Sequence, residues 1–428
     1  TNVLDLRVLN AYTNSALNQN ELSINTHSDD FHSALGQGGG YGAVYYKTAS
    51  MLYNLELVLG DSLFEKAMMH YFDQWKFAHP YFEDFRASII QFTGIDLSWF
   101  FDQWFETTKT LDYGITRIHK VRGTDSFDIR FRRRGQMQMP IDFTVTARNG
   151  IQTSYHIPNT NWFNKSTPAT VLPKWYGWGK LHETYTARIH MPSGVKDVQI
   201  DTTNRLADRN MVDNYRTRGM LLSPRAIKWR FDGGLNPQTD RKHYRAYVRP
   251  DAWWNPIDGI KAGVHLEGDY LSTLYKIDAS VWWNTHFLQE DAYKSFKGES
   301  YYARYKPVNY SLNYNSPISR NWPKLQMQVN SRYLDGLWCN RGGFNWLMSD
   351  KNTIQLYGQM LWRGSVNDLA YLNDPLEWSS TPGRKNNSIN AAWTHHYEYF
   401  HGQGRYTISA RAPFLQKDAL PFGYSWAQ

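Results

Sequence analysis

The side chains best placed for chemistry sit where Gln37-Gly38-Gly39-Gly40-Tyr41-Gly42 runs into Val44-Tyr45-Tyr46-Lys47. A glycine-rich loop that opens a helix can aim polar groups into a cleft. Here those groups are the phenol of Tyr45 and the ammonium of Lys47. The competing reading is an ordinary helix N-terminus with aromatic packing. The loop lacks the preceding strand and the glycine spacing of a nucleotide-binding loop, so phosphate chemistry is set aside. His27 and His32 are metal-ligand types, but nothing in their spacing fixes a coordination geometry. A substrate-lining loop is the better reading of that stretch.

Helices must position these groups. Met51, Leu52, Leu55 and Leu59 recur at helical spacing, so the segment after Lys47 is a helix with one buried face, stopped at Gly60. Asp61–Phe72 reads as a second helix with Asp61 as its N-cap. Glu83–Phe92 reads as a third, stopped by Thr93-Gly94, and Asp96–Phe105 as a fourth.

Four motifs follow one another through these helices: Val44-Tyr45-x-Lys47-x-Ala49-x-x-Leu52, Leu59-Gly60-Asp61-x-x-Phe64, Asp84-Phe85, and Gly94-x-Asp96-Leu97-x-x-Phe100-Phe101-x-x-Trp104. The series resembles the gluzincin aminopeptidases, the family of aminopeptidase N. The resemblance implies a peptide or protein substrate, zinc as cofactor, and a role for Tyr45. In that family the matching hydroxyl stabilises the oxyanion formed when zinc-bound water attacks the peptide carbonyl. A phenol suits the task, because a neutral donor strengthens its hydrogen bond as charge develops. Tyr46 has no matched role. The family's zinc motif, His-Glu-x-x-His, is missing from these 428 residues: His182-Glu183 and His395-His396-Tyr397-Glu398 do not form it. No metal ligand is therefore assigned in this chain. With Thr1 as its first residue, the chain is expected to start inside a catalytic domain, with the zinc ligands and general base upstream.

The charge balance is mild. A net charge of +8 with 20% charged residues, and no basic block longer than Arg132-Arg133-Arg134, excludes a nucleic-acid arm. The single cysteine, Cys339, excludes an intrachain disulfide. No apolar run approaches the ~20 residues of a spanning helix. Aromatic residues make up 16% of the chain, and the surplus lies mostly after residue 225.

The expected fold is multidomain α+β. Residues 1–110 form the helical C-terminal part of a catalytic domain. Residues 111–210 read as short strands with turn signals such as Asn149-Gly150, fitting a small sandwich. Met139-Pro140-Ile141-Asp142-Phe143 and Ile200-Asp201 with Leu206-Ala207-Asp208 resemble the immunoglobulin-like domain that follows the helices in many family members. Residues 211–224 read as a linker. Residues 225–428 read as an antiparallel β-barrel.

In that last region Ile260–Tyr270, Tyr275–Trp283, Val308–Tyr314, Leu325–Tyr333, Ile354–Trp362, Ile389–Tyr399 and Tyr406–Phe414 alternate apolar with polar. Several reach the length that crosses a tilted bilayer. Charges at mid-strand (Lys261, Glu267, Asp269, Lys276, Asp278) suit a wet lumen, and tryptophans near strand ends suit an interfacial girdle. Alternation alone also fits a soluble β-domain with its apolar face inward; the favoured expectation is an outer-membrane barrel in which Ile260, Ala262, Val264, Leu266 and Tyr270 point outward and Lys261, His265, Glu267 and Asp269 inward. Val264→Arg should impair insertion, and Lys261→Gln should be tolerated. The Trp253-Trp254-Asn255-Pro256 segment is similar to barrels of the outer-membrane assembly-factor superfamily. The functional expectation is a zinc aminopeptidase of the bacterial envelope, with outer-membrane lipid and an envelope protein complex as partners. The alternative is a catalytically inactive peptidase-like module for binding or assembly on the same barrel.

Overall fold

Two glycines set the helical register. Gly60, at φ 81°, and Gly94, at φ 66°, take positive φ values that other residues mostly avoid. Their N–H groups close the helices on Glu56 O and Ile90 O at 2.8 and 2.9 Å. The computed structural model describes residues 5–27, 30, 40, 42–160, 168–177, 181–231, 240–256, 258–291, 307–334, 337–363, 385–399 and 402–415. It divides into two compact units: Thr1–Lys228 with Gln238–Tyr244, and Trp229–Pro237 with Arg245–Gln428.

The first unit opens with α1 (Asn10–Asn18), followed by a π-helical turn (Gly42–Lys47), α2 (Thr48–Leu59), α3 (Asp61–Trp75), α4 (Phe82–Thr93) and α5 (Ser98–Phe105). Helix α1 lies in a polar stretch to which the sequence patterns assign no helix. Its Asn, Thr and Ser residues hide an apolar face, because Tyr12, Ala16 and Leu17 are buried. Asp61 is not the N-cap of α3 but its first residue; Gly60 holds the cap, and the Asp61 carboxylate pairs with Arg205 at 2.5 Å. At α4, Asp84 accepts the Tyr81 N–H at 2.8 Å. Phe100, Phe101 and Trp104 of α5 are fully buried with Tyr12, Met51 and Leu55.

Two sheets follow. One has the order β1–β2–β6, built from Tyr113–Lys120, Ser126–Arg133 and Thr184–His190. The other has the order β5–β4–β3–β7–β8, built from Thr170–Val171, Gln152–Ile157, Ile141–Ala147, Val195–Ile200 and Tyr215–Thr217. Their apolar faces meet: the Phe131 ring of β2 lies 4.8 Å from Phe143 of β3. The stretch read as a linker, 211–224, carries structure instead. Met211–Asn214 form a 3-10 turn, and β8 pairs antiparallel with β7.

The second unit is a ten-stranded antiparallel sheet in unbroken chain order, β9 to β18. Its strands are Ile227–Phe231, Tyr244–Asn255, Gly259–Tyr270, Leu274–Asn284, Val308–Ser319, Trp322–Leu334, Leu337–Ser349, Asn352–Arg363, Lys385–Tyr399 and Gly402–Pro413. The expected closed barrel is not seen: among the described residues no pairing joins β9 to β18.

The two faces of this sheet reverse the usual order of a soluble protein. Val264 is 53% exposed, whereas Lys261 is wholly buried. The register carries the apolar face across the strands: Val264 stands opposite Val281, Val281 opposite Tyr310, and Tyr310 opposite Tyr333. Phe344, Leu356 and Ile408 are exposed likewise, while Asn309, Gln359, Ser388 and Arg411 are buried. Tyr270 breaks the expected pattern. It is buried, together with Leu271 of the turn that follows and Leu274 at the start of β12.

Candidate functional site

The π-helical turn Gly42–Lys47 presents its side chains in opposite senses. Tyr45 is 59% exposed, and two residues later Lys47 is 1% exposed. Tyr46, between them, packs against the core. Ser50 donates from Oγ to the Tyr46 carbonyl at 2.8 Å, and Thr48 from Oγ1 to the Ala43 carbonyl at 3.2 Å. These bonds use carbonyls left over where the π turn becomes α2.

Lys47 fastens this turn to two distant segments. Its Nζ donates to Leu22 O and Thr107 O, each at 2.9 Å, and lies 3.2 Å from Glu21 Oε2. Two protons of the ammonium are thus given to carbonyls, and the Glu21 carboxylate stands beside it as an ion pair. The pair is nearly dry. Burial pushes the Glu21 carboxyl up to about 7 against the pull of Lys47, and burial also holds Lys47 below its ordinary value. Tyr12 is buried beside them, and its phenol is raised first by burial and then by the Glu21 charge.

A second buried polar layer anchors the helices to the sandwich. Asn54 of α2 donates to Arg205 O at 3.3 Å and accepts the Ala207 N–H at 3.1 Å. Asp201 holds the same loop by accepting the Leu206 N–H at 2.6 Å. Asp208 accepts from Tyr113 N and Asn210 N, both at 2.9 Å. Its carboxyl is raised, chiefly by burial and then by Asp112 and Asp213. Arg209 Nε donates to Asp112 Oδ2 at 2.8 Å. The Asp201…Leu206-Ala207-Asp208 motif thus closes the loop over α2.

Tyr45 stands at the expected helix junction. Of the two histidines, His27 is described and His32 lies outside the described residues. Among the described residues no group of three His, Cys, Asp or Glu side chains could hold a metal ion. With that finding and no His-Glu-x-x-His in the sequence, the described residues do not fit zinc. Sequence reasoning missed Glu21. A single acid in a polar stretch carries no signal until Lys47 is seen to reach it.

Residues 21–104 match the model of the Peptidase family M1 domain. The matched segment starts at Glu21, ends at Trp104 and contains Tyr45, Lys47 and α2 to α5. A search of curated proteins finds no match.

Proposed function

We propose that this chain supplies the oxyanion-stabilising part of a metallo-aminopeptidase of the bacterial envelope, and that its second unit sits in the outer membrane. The match of residues 21–104 supports a metallopeptidase-type function acting on peptides. The observation that carries the reading is the pairing of an exposed Tyr45 with a buried Lys47, bonded to two carbonyls and ion-paired with Glu21, on one turn. The turn is fixed from below, so the phenol is held without having to be ordered by substrate.

Tyr45 donates its O–H toward the oxygen of an attacked peptide carbonyl. The donor is neutral and positioned beforehand, so its bond strengthens only as negative charge grows there. The zinc implied by the family has no ligands among the residues described, and its ligands would come from outside these 428 residues. The sandwich of β1 to β8, which resembles an immunoglobulin-like domain, serves as scaffold.

The outward apolar face supports the membrane placement. Nine strands of 11 to 15 residues, β10 to β18, carry it. Lengths of about 9–11 residues suffice to cross a bilayer when tilted. In water an exposed apolar sheet is an aggregation hazard; in lipid it is the required arrangement, with charges kept on the inner face. Trp254, Trp283, Trp322 and Trp362 are exposed near strand ends, as an interfacial girdle needs. No described helix is long and apolar enough to cross a membrane, which leaves strands as the spanning elements of this reading.

The test is cleavage of two peptides that differ only at the N-terminus, by the metal-loaded protein that contains this chain. The reading expects the free-amine peptide to be cut and its N-acetylated form to be spared. Equal cleavage of both contradicts it. The absence of His-Glu-x-x-His favours one second reading, a peptidase-like binding or assembly module. Peptide binding without cleavage would select that reading.

A further inference from the structure

The inner face of the second unit carries its charges in an order. Glu267 of β11 stands directly opposite Asp278 of β12. Like charges directly opposite each other destabilise a sheet, and His265 Nε2 lies 3.9 Å from Asp278 Oδ2. The same register row continues from Asp278 to Asn313, from Asn313 to Asn330, and from Asn330 to Arg341. Asn313 Nδ2 donates to Asp278 Oδ1 at 3.3 Å, and Asn330 Nδ2 donates to the Asn313 side-chain oxygen. At the far end Arg341 Nε donates to Gln359 Oε1 at 2.9 Å, and its guanidinium lies 4.7 Å from the centre of the Tyr357 ring. One row therefore runs from an acidic end, over two amide rungs, to a guanidinium held in place. Lys276 shares the acidic strand, and Arg332 stands beside the basic end. All of these residues except His265 and Gln359 line one concavity of about 660 Å³, within the size range of small-ligand sites.

The spacing sets the length of the ligand. Adjacent strands lie about 4.8 Å apart, so three strand intervals separate Asp278 from Arg341 by roughly 14 Å. A free amino acid is too short to reach both ends. An extended chain rises about 3.3–3.6 Å per residue, so three or four residues span the row. We propose that this row binds short peptides with free ends. The α-ammonium meets Glu267 and Asp278, the carboxylate meets Arg341 in the two-pronged geometry that guanidinium favours, and the peptide groups meet Asn313 and Asn330. Because Gln359 and Tyr357 already hold Arg341, little side-chain freedom is lost on binding. The site stands within the second unit and does not depend on the peptidase chemistry of the first.

The test is titration calorimetry on the whole chain in detergent. EDTA is present, so that no metal-dependent hydrolysis consumes the probe and loss of peptidase activity cannot mimic loss of binding. Tetra-alanine should bind saturably. Acetylating its N-terminus, amidating its C-terminus or replacing it by free alanine should each weaken binding roughly tenfold or more. Asp278→Asn should remove most of the acetylation penalty alone, and Arg341→Gln most of the amidation penalty alone. A variant that still binds the blocked peptides normally is folded. No saturable binding of tetra-alanine to the wild-type chain, equal binding of all four probes, or variants that leave both penalties intact would overturn the proposal.

Discussion

Lys47 Nζ lies 3.2 Å from Glu21 Oε2, with both side chains almost wholly removed from solvent. The pair is a fixing point for the turn that presents Tyr45, and its energetics are set by burial. Isolated from water, a carboxylate prefers its neutral form, and the Glu21 carboxyl is raised from 4.5 to about 7 although a cation stands beside it.

A pH dependence follows. The folded state binds the Glu21 proton more tightly than the unfolded state does, so the stabilisation is full below about 4.5 and is lost as pH rises through about 7. The loss is on the order of 1–3 kcal/mol at one site. Hydrogen exchange of the α2 amides, corrected for intrinsic rates, should show protection falling from pH 5 to pH 8 in the wild-type chain. In Glu21→Gln the fall should vanish. An equal fall in the variant would remove Glu21 as its source.

The Arg209–Asp112 pair should be costly to break from one side. Both side chains are buried, so Asp112→Ala leaves a charged guanidinium in the interior, at a cost of about 3–5 kcal/mol. Arg188 pairs with Asp128 at a similar distance but on the surface. Arg188→Ala should unfold at nearly the wild-type urea concentration, while Asp112→Ala unfolds far earlier. Equal effects of the two variants would contradict the burial argument.

The sheet makes a prediction that differs from the sequence expectation. Under the membrane placement proposed above, Val264→Arg puts a charge on the exposed apolar face, at a cost of about 2–4 kcal/mol at the midplane of a bilayer. It should block insertion into lipid vesicles. Lys261→Gln, expected from sequence to be harmless, should not be: Lys261 is fully buried, 3.1 Å from Asp258 Oδ2. Glu267→Gln, on the exposed part of the inner face, is the tolerated change. Normal insertion of Val264→Arg would refute the lipid-facing assignment.

Legibility in the sequence followed the strength of the local pattern. Helices α2 to α5 were readable because apolar spacing and the stops at Gly60 and Gly94 agreed. Helix α1 was not, because only Tyr12, Ala16 and Leu17 mark its buried side among Asn, Thr and Ser. Strand β15 was missed because Asn340-Arg341-Gly342-Gly343 interrupts its alternation. Gly343 is required there by close approach, since a Cβ would come within 2.2 Å of Leu356 O. Tyr45 was singled out by its motif, and the structure adds its exposure. Glu21 was invisible, because its meaning depends on a lysine 26 positions later in the chain that reaches back to it.

The central claim is that Tyr45 donates to the oxyanion, and the most direct measurement is the steady-state kinetics of Tyr45→Phe in the metal-loaded protein that contains this chain. The change removes one hydroxyl and leaves the ring. The account predicts kcat lowered by roughly 10²-fold or more with KM little changed, as expected for a donor used only in the transition state. A kcat within a few-fold of wild type would contradict it.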